Sequence, residues 1–211
     1  MSRTLAIPGV GPVKVSPTSL ALGAAAVAGV AWWMFGSSKR PSQPTWPIVD
    51  PANTNVPVYG GDGSGRAFGA DRPASDVCGG GLRTHGGIDL SASRGQRVVA
   101  VESGVIAATQ GWEGPQAKAL LLQTDSGPVA LYGALAPGSW SEFGVSKGSR
   151  VKQGQVIGRI GTYPAGSSML HFELYAKGAT KNRVWCKGDP RPPGMLDPTG
   201  YLRRAAARVI R

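Results

Sequence analysis

Short apolar runs separated by glycine-rich turns fill the chain from residue 58 onward. Each run has the length of a strand, and the glycines between the runs supply the turns of an antiparallel sheet. The runs are 96–101, 105–109, 119–124, 129–132, 156–160 and 170–175. The pattern predicts one mainly β domain over 58–202, built as a compact antiparallel sheet or sandwich. Arginines alternating with apolar residues at the C-terminus predict a short basic helix, whose end covers 203–211.

A long apolar stretch precedes this domain. Residues 17–37 carry no charged side chain, and a helix rising about 1.5 Å per residue over this stretch just spans a hydrocarbon core of about 30 Å. Trp32–Trp33 and Lys39–Arg40 lie at one end, where aromatic and cationic anchors are expected. The pattern predicts a transmembrane anchor over 17–37 behind a short tail, 1–16. The alternative is a cleaved signal peptide, which would leave strongly apolar residues at the new N-terminus.

Small residues recur within the predicted anchor, and prolines recur in the segment that follows it. Within the predicted anchor, small residues recur every four positions at Ala21, Ala25 and Gly29. This spacing lets helices pack closely and favours self-association through the anchor. Beyond it, prolines recur through 38–57, which predicts an extended linker.

The chain is strongly basic, with 23 Lys and Arg against 12 Asp and Glu and a formal net charge of +11. This balance suits anionic lipid, nucleic acid or an acidic polymer such as a cell wall. No basic motif interleaved with aromatic residues is present, so the charge by itself does not indicate a nucleic-acid protein. The 32 glycines and 17 prolines favour a turn-rich β protein over a helical bundle.

The chain has 2 cysteines, Cys78 and Cys186. They lie far apart and in no Cys-x-x-Cys spacing, which argues against a metal site made of cysteines alone. Two outcomes remain open from the residues themselves. The pair forms one disulfide in an oxidising compartment, or both stay free thiols.

The chain has 2 histidines, and each lies near a carboxylate. His85 and Asp89 are four positions apart on a turn that enters a strand, so both can reach one cation. His171 lies in a predicted strand whose alternation puts Met169 and Glu173 on the same face. Neutral imidazoles with a carboxylate suit zinc, and three protein ligands leave the open position of a catalytic zinc site.

Several short stretches of the domain follow one another in a recognisable order. They are Gly65-Arg-Ala-Phe-Gly, His85-Gly-Gly-Ile-Asp89-Leu, 95–106, 131–135, 151–161, Leu170-His171-Phe-Glu-Leu and Leu196-Asp197-Pro198. On these stretches the chain from about residue 65 to residue 202 resembles the lysostaphin/LytM-type zinc endopeptidases, duplicated-hybrid-motif enzymes that cut peptide cross-links in bacterial cell walls. The resemblance implies a compact β fold and a Zn²⁺ ion held by His85, Asp89 and His171.

Two positions depart from that family's pattern. The family carries a histidine two residues before the last ligand, where this chain has Met169. It carries another in a Tyr-x-His-Leu stretch, where this chain has Ala134. The resemblance assigns proton handling and support of the transition state to those two histidines. Since neither Met nor Ala accepts a proton, we expect slow hydrolysis unless Glu173 or Tyr132 substitutes as a catalytic group.

The resemblance and the predicted anchor together imply a function at the cell envelope. We expect a single-pass membrane protein whose domain lies outside the cytoplasm or in a membrane-containing phage virion, where it would help to breach the envelope. Its expected partners are peptidoglycan peptides and, through the anchor, the lipid bilayer, whereas nucleic acid is not expected. The alternative is a catalytically inert structural or binding module of the same fold in a bacterial envelope or virion membrane.

The resemblance also bears on the cysteines. Cys78 precedes the first ligand loop, and Cys186 lies in the excursion between the last ligand strand and Asp197. If that excursion folds back over the metal site, the two loops meet and the cysteines pair.

Overall fold

A computed structural model describes residues 4–7, 10–14, 43–58, 65–112, 117–162 and 168–209. The chain divides into two units, 1–41 and 42–211. In the first unit, strands β1 (Thr4–Ile7) and β2 (Val10–Lys14) pair as an antiparallel hairpin within the predicted N-terminal tail. The predicted anchor, 17–37, lies outside the described residues. Among the residues that are described, no helix has the length and apolar character needed to cross a membrane.

The second unit is mainly β. Its strands are β3 (Asp71–Ala74), β4 (Leu82–Thr84), β5 (Ile88–Ser91), β6 (Arg97–Val99), β7 (Gly104–Trp112), β8 (Ala117–Thr124), β9 (Val129–Leu135), β10 (Arg150–Val151), β11 (Val156–Arg159), β12 (Met169–Tyr175) and β13 (Met195–Leu196). Two short 3-10 helices cover Asp76–Cys78 and Ser139–Phe143, and helix α1 covers Thr199–Val209. The prediction of a mainly β domain with a C-terminal helix is confirmed.

All strand pairs in this unit are antiparallel. The main sheet has seven strands in the order β10-β7-β8-β9-β12-β13, and β5 pairs with β12 off this path. Smaller two-stranded sheets join β6 to β11 and β3 to β4. Strand β12 therefore has β9, β5 and β13 as neighbours, and side chains from β9 and β5 lie directly beside its own.

The main sheet is covered on both faces, which explains why its central strands are continuous apolar runs. In β8, Leu120 and Leu122 belong to the larger buried cluster, whereas Ala119 and Leu121 belong to a smaller one. This is the alternation expected of a strand. Helix α1 covers part of the larger cluster with the apolar side chains that its period of 3.6 brings to one face: Tyr201, Leu202, Ala205 and Ala206.

Part of the predicted linker belongs to the folded domain. Trp46 and Ile48 are buried in the larger cluster, with exposures of 3% and 2%. The backbone there pairs with β6: Ile48 bridges to Val98, and the nitrogen of Val99 donates to the carbonyl of Pro47 at 2.9 Å. The spacing of prolines over 38–57 predicts only an extended linker, whereas the apolar residues between these prolines add an edge to the sheet.

Candidate metal centre

The three predicted ligands meet because β5 pairs with β12. In this register Asp89 lies opposite His171, although the two residues are far apart in sequence. His85 lies on the turn that enters β5, and Gly86 and Gly87 complete that turn. A Cβ atom on Gly87 would lie 2.5 Å from the carbonyl oxygen of Phe172 and 2.6 Å from Nε2 of His171. Only glycine therefore lets the turn pass this close to the third ligand.

The ligand atoms form a tight triangle. Nε2 of His85 lies 3.1 Å from Nδ1 of His171, and Oδ1 of Asp89 lies 3.2 Å and 2.8 Å from these two nitrogens. Ligands held at about 2.0–2.1 Å around a tetrahedral zinc ion would be separated by about 3.3 Å. All three residues are buried. The donor set and its spacing therefore fit a zinc ion with three protein ligands.

The far side of each imidazole is held by an acceptor. Nδ1 of His85 lies 2.8 Å from the carbonyl oxygen of Ala67, and Nε2 of His171 lies 3.0 Å from Oε1 of Glu173. With a proton on each of these nitrogens, the opposite nitrogen of each ring, Nε2 of His85 or Nδ1 of His171, would be the one that binds a metal ion. Such outer hydrogen bonds fix the tautomer and the ring orientation of metal-binding histidines.

The charges of the three groups depend on burial and on one another. Burial lowers the pKa of His85, and the nearby His171 and Arg72 lower it further against the effect of Asp89. Burial alone would also lower the pKa of His171, but hydrogen bonds to Asp89 and Glu173 outweigh it and raise this pKa to about 9. For Asp89, burial opposes ionisation, yet hydrogen bonds with both histidines hold its pKa well below the ordinary value. Without a metal, the centre therefore holds an ionised Asp89 beside a protonated His171.

Arg72 completes the surroundings of Asp89. Its Nη2 donates to Oδ2 of Asp89 at 2.6 Å, and its Nη1 donates to the carbonyl oxygen of Gly65. Arg66 adds bonds to the backbone oxygen of Asp89, from Nε at 3.1 Å and from Nη2 at 2.8 Å. The carboxylate is thus held in orientation by groups that leave Oδ1 facing the histidines.

Met169 and Ala134 lie in different surroundings. Met169 starts β12 on the face of His171 and lines the cleft above it. Ala134 is buried at a bulge of β9, where residues 133 and 134 oppose the single residue Ala119. Its φ of +62° is left-handed, which is uncommon for a residue other than glycine.

Trp112 lies over this bulge and over His171. Its ring is 4.7 Å from the His171 ring, centroid to centroid, and a Cβ on Gly133 would come within 2.9 Å of it. Ala134 belongs to the same small buried cluster as Trp112. Small residues at 133 and 134 therefore leave the space beside His171 to an indole.

The two residues suggested as catalytic substitutes lie on opposite sides of the sheet. Glu173 is beside His171, but it is only 3% exposed, and its Oε2 accepts a hydrogen bond from Tyr175 at 2.5 Å. Tyr132 faces the larger cluster with Phe172, and its hydroxyl accepts a bond from the nitrogen of Val101 at 2.9 Å. The structure brings Glu173 to the metal centre behind a ligand, and it does not bring Tyr132 there.

The centre lies in a cleft of about 860 Å³. One wall joins β4 to the segment 185–187: Thr84 donates to the carbonyl of Trp185, and Arg83 bridges to Cys186. A disulfide links Cys78 to Cys186, so the excursion after β12 does return to the loop before β4. Trp185 packs against Phe68 at 5.6 Å between ring centroids and forms part of this wall.

A family model described as peptidase family M23 matches residues 83–183, a range that holds all three ligands. Residues 83–183 thus carry the pattern of peptidase family M23. No curated protein matches the chain. Among solved structures, a chain of the SpoIIQ–SpoIIIAH pore-forming complex is 19% identical, with 82% of this chain and 98% of that chain covered and a TM-score of 0.51.

Two further structures are similar over part of their length. Lysostaphin from Staphylococcus simulans is 21% identical over 77% of this chain and 56% of that chain, with a TM-score of 0.49. A zinc-containing peptidase from Vibrio cholerae is 21% identical over 72% of this chain and 41% of that chain, with a TM-score of 0.47. The chain thus spans about half the length of these two proteins.

Two residues that surround the candidate ligands, Arg72 and Trp112, were not predicted from the sequence. Arg72 lies in a strand with no apolar alternation, and Trp112 ends β7 beyond the matching stretch 95–106. Neither has a local signal, because their roles come from the pairing of β3 with β4 and of β7 with β8. Glu173 did have one, since it shares a strand face with His171.

Proposed function

We propose that this domain binds one zinc ion through His85, Asp89 and His171 and acts on peptidoglycan peptides as a weak endopeptidase. One observation carries the proposal: the three candidate ligands meet, oriented by their hydrogen bonds, in a cleft that Met169 lines, while Ala134 is buried in the cluster beside it. When bound, zinc supplies a Lewis acid and lowers the pKa of a coordinated water toward 7.

The described residues can orient the two histidines, but they offer no acid–base group at positions 134 and 169. The Ala67 carbonyl and the Glu173 carboxylate orient the two imidazoles, and the cleft positions a peptide against them. No described side chain at 134 or 169 can take or return a proton. General acid–base assistance is commonly worth about 10²–10⁴-fold in rate, so its loss predicts a slow enzyme.

Metal analysis and wall digestion together test this proposal. The purified chain in neutral detergent should hold about one equivalent of zinc, and His171→Ala should lose it. Incubation with purified peptidoglycan should release soluble peptides slowly and only in the zinc-loaded protein. A zinc-supplemented protein without bound metal would contradict the assignment of the ligands.

The second candidate is an inert binding module of the same fold. It is favoured by the burial of Ala134 under the same cluster as Trp112, which leaves little room for a catalytic group there. Co-sedimentation separates the two candidates. A module would bring zinc-loaded protein down with peptidoglycan without any release of peptide, whereas an enzyme would release peptide at a rate that zinc removal abolishes.

We further propose that residues 17–37 anchor the chain in a bilayer and place the domain in an envelope or in a virion membrane. The length and the absence of charge in this stretch support the proposal. Deleting residues 1–41 should release the protein from membranes, and the deleted form should stay in the supernatant at high salt. Continued sedimentation with membranes would show that the anchor lies elsewhere.

A further inference from the structure

The cleft above the metal centre is lined by basic side chains from separate parts of the chain. Arg66 precedes β3, Arg72 lies in β3, Arg83 lies in β4, and Arg183 follows β12. The acidic side chains in the lining are Asp89 and Glu173. Four guanidinium groups thus lie in the lining with two carboxylates; Arg72 is already paired with Asp89, and the other three arginines leave an excess of positive charge.

Neither carboxylate is exposed to a ligand in the cleft. Asp89 is 7% exposed, and its oxygens are taken up by the two histidines and Arg72. Glu173 is 3% exposed, with its oxygens on His171 and Tyr175. The charge that the cleft presents to solvent is therefore positive, and a cleft lined by one sign of charge concentrates ligands of the opposite sign.

The basic wall is held in place by the fold. Arg83 pairs with Cys186 across the bridge that extends the β3–β4 sheet, and the disulfide to Cys78 closes the same wall. The nitrogen of Arg183 donates to the hydroxyl of Tyr175 at 2.9 Å, which fixes the loop that carries this exposed arginine. The backbone positions of Arg83 and Arg183 are thus fixed by the fold.

We infer that the cleft selects anionic peptides, those with free carboxylates close to the bond presented to the metal centre. This inference rests on the proposed function, because it names the class of peptide that the same site takes. Guanidinium groups bind carboxylates through paired hydrogen bonds, which a neutral amide cannot reproduce. Trp185 in the same wall offers an apolar surface for the peptide between its charges.

Binding of matched peptides to the full chain tests this inference. Isothermal titration in neutral detergent would compare acetyl-Ala-Glu-Ala-Glu-Ala-amide with its glutamine twin, which has the same shape and no charge. At low salt the acidic peptide should bind at least about tenfold more tightly. The preference should shrink strongly at about 1 M salt, where the Debye length is about 3 Å.

Two variants separate the cleft from the net charge of the protein. Arg183→Gln removes one charge from the cleft and should reduce the preference several-fold. Arg203→Gln removes the same charge from an exposed position of α1 outside the cleft lining, and it should change nothing. Equal losses in both variants would overturn the inference, because the attraction would then belong to the overall charge of +11.

Further measurements separate this inference from the proposed function, and they separate carboxylate binding from the binding of another anion. The preference should persist in His171→Ala, so it can hold even if the chain neither retains zinc nor cuts a wall peptide. Equal binding of the two peptides, or binding of neither, would overturn it whatever the metal content. Tight binding of a glycerol phosphate polymer without binding of the acidic peptide would also overturn it, since the cleft would then select phosphate over carboxylate.

Discussion

Nε2 of His171 lies 3.0 Å from Oε1 of Glu173, two residues further along the same strand. The other carboxylate oxygen accepts a hydrogen bond from Tyr175, whose hydroxyl in turn accepts one from the nitrogen of Arg183. A chain of hydrogen bonds therefore runs from the cleft wall to the back of a metal ligand. This places Glu173 where it orients a ligand, and not where it would take a proton from a reacting water.

The first prediction follows from this placement. Glu173→Ala should weaken zinc binding by about 10–100-fold, because the imidazole of His171 loses the partner that fixes its orientation. Glu173→Gln should be milder, since an amide oxygen can still accept the bond from Nε2. Competition with a chelator of known affinity would measure both variants. Unchanged zinc affinity together with lost wall cleavage would instead indicate that Glu173 is the catalytic base.

A second prediction concerns pH. The pKa of His171 in the metal-free protein is raised to about 9, so zinc must displace a proton there at neutral pH. Apparent zinc affinity should therefore rise by about tenfold per pH unit from pH 7 and level off above pH 9. Chelator competition at several pH values would check this slope. A flat profile between pH 7 and 8.5 would show that His171 is already neutral without metal.

The same group affects the stability of the metal-free protein. A pKa raised from 6.5 to about 9 on folding gives stability that is fully present below pH 6.5 and lost as pH rises through 9. Asp89 acts in the opposite direction. Its lowered pKa stabilises the folded protein above pH 3.8, the ordinary pKa of the group, and this stabilisation is lost as the pH falls below that value. Thermal unfolding of the metal-free protein should therefore shift to lower temperature from pH 7 to 9.5, and His171→Ala should remove most of that shift.

The sequence predicts the strands well, because continuous apolar runs such as 119–124 coincide with buried strands. The ligand set came from the resemblance, since spacing within one segment does not say which distant strand pairs with it. Tyr132 shows what the sequence of one strand cannot determine. Gly133 lies opposite His171 and Tyr132 lies opposite Phe172, so alternation turns Tyr132 to the other face once the register is known. No pattern in a single segment could supply that register.

The third prediction concerns the start of the domain. A chain beginning at residue 42 should fold as the intact unit does, whereas one beginning at residue 58 loses the buried Trp46 and Ile48. Loss of a large buried side chain typically costs about 2–5 kcal/mol, so the shorter form should be strongly destabilised. Denaturant unfolding would compare the two. Ile48→Ala in the longer form should lower the free energy of unfolding by part of this difference. Equal stability of both forms would contradict the burial of this segment.

A fourth prediction concerns the turn between the first two ligands. Gly87→Ala places a methyl group against a backbone oxygen of β12 and against His171, so the turn and the ligand cannot both keep their positions. Zinc affinity should fall by more than about tenfold, comparable to the loss of an outer-shell partner. Gly111→Ala is the matched control, because a Cβ at that position of β7 meets nothing within 4 Å. Equal zinc affinity in both variants would mean that the turn can relax without moving the ligands.

The last prediction concerns catalysis. Met169→His places an imidazole on the cleft-lining face of β12, where it can accept a proton. Ala134→His is harder to accommodate, because the position is 1% exposed and shares a buried cluster with Trp112. The double variant should raise zinc-dependent wall cleavage by at least about tenfold, and each single variant should fall short of it, since the two groups act in one transition state.

The buried indole adds a step to this test. If the double variant stays slow, trimming Trp112 to a smaller side chain should release the gain by giving the new imidazole at 134 the space that the indole takes beside His171. Val105→His, at an exposed position of β7 outside the cleft lining, controls for an added histidine as such. Release of wall peptides by the unmodified chain at the rate of the double variant would overturn the proposed loss of acid–base groups, and Glu173→Gln would then test whether that carboxylate supplies the proton transfer.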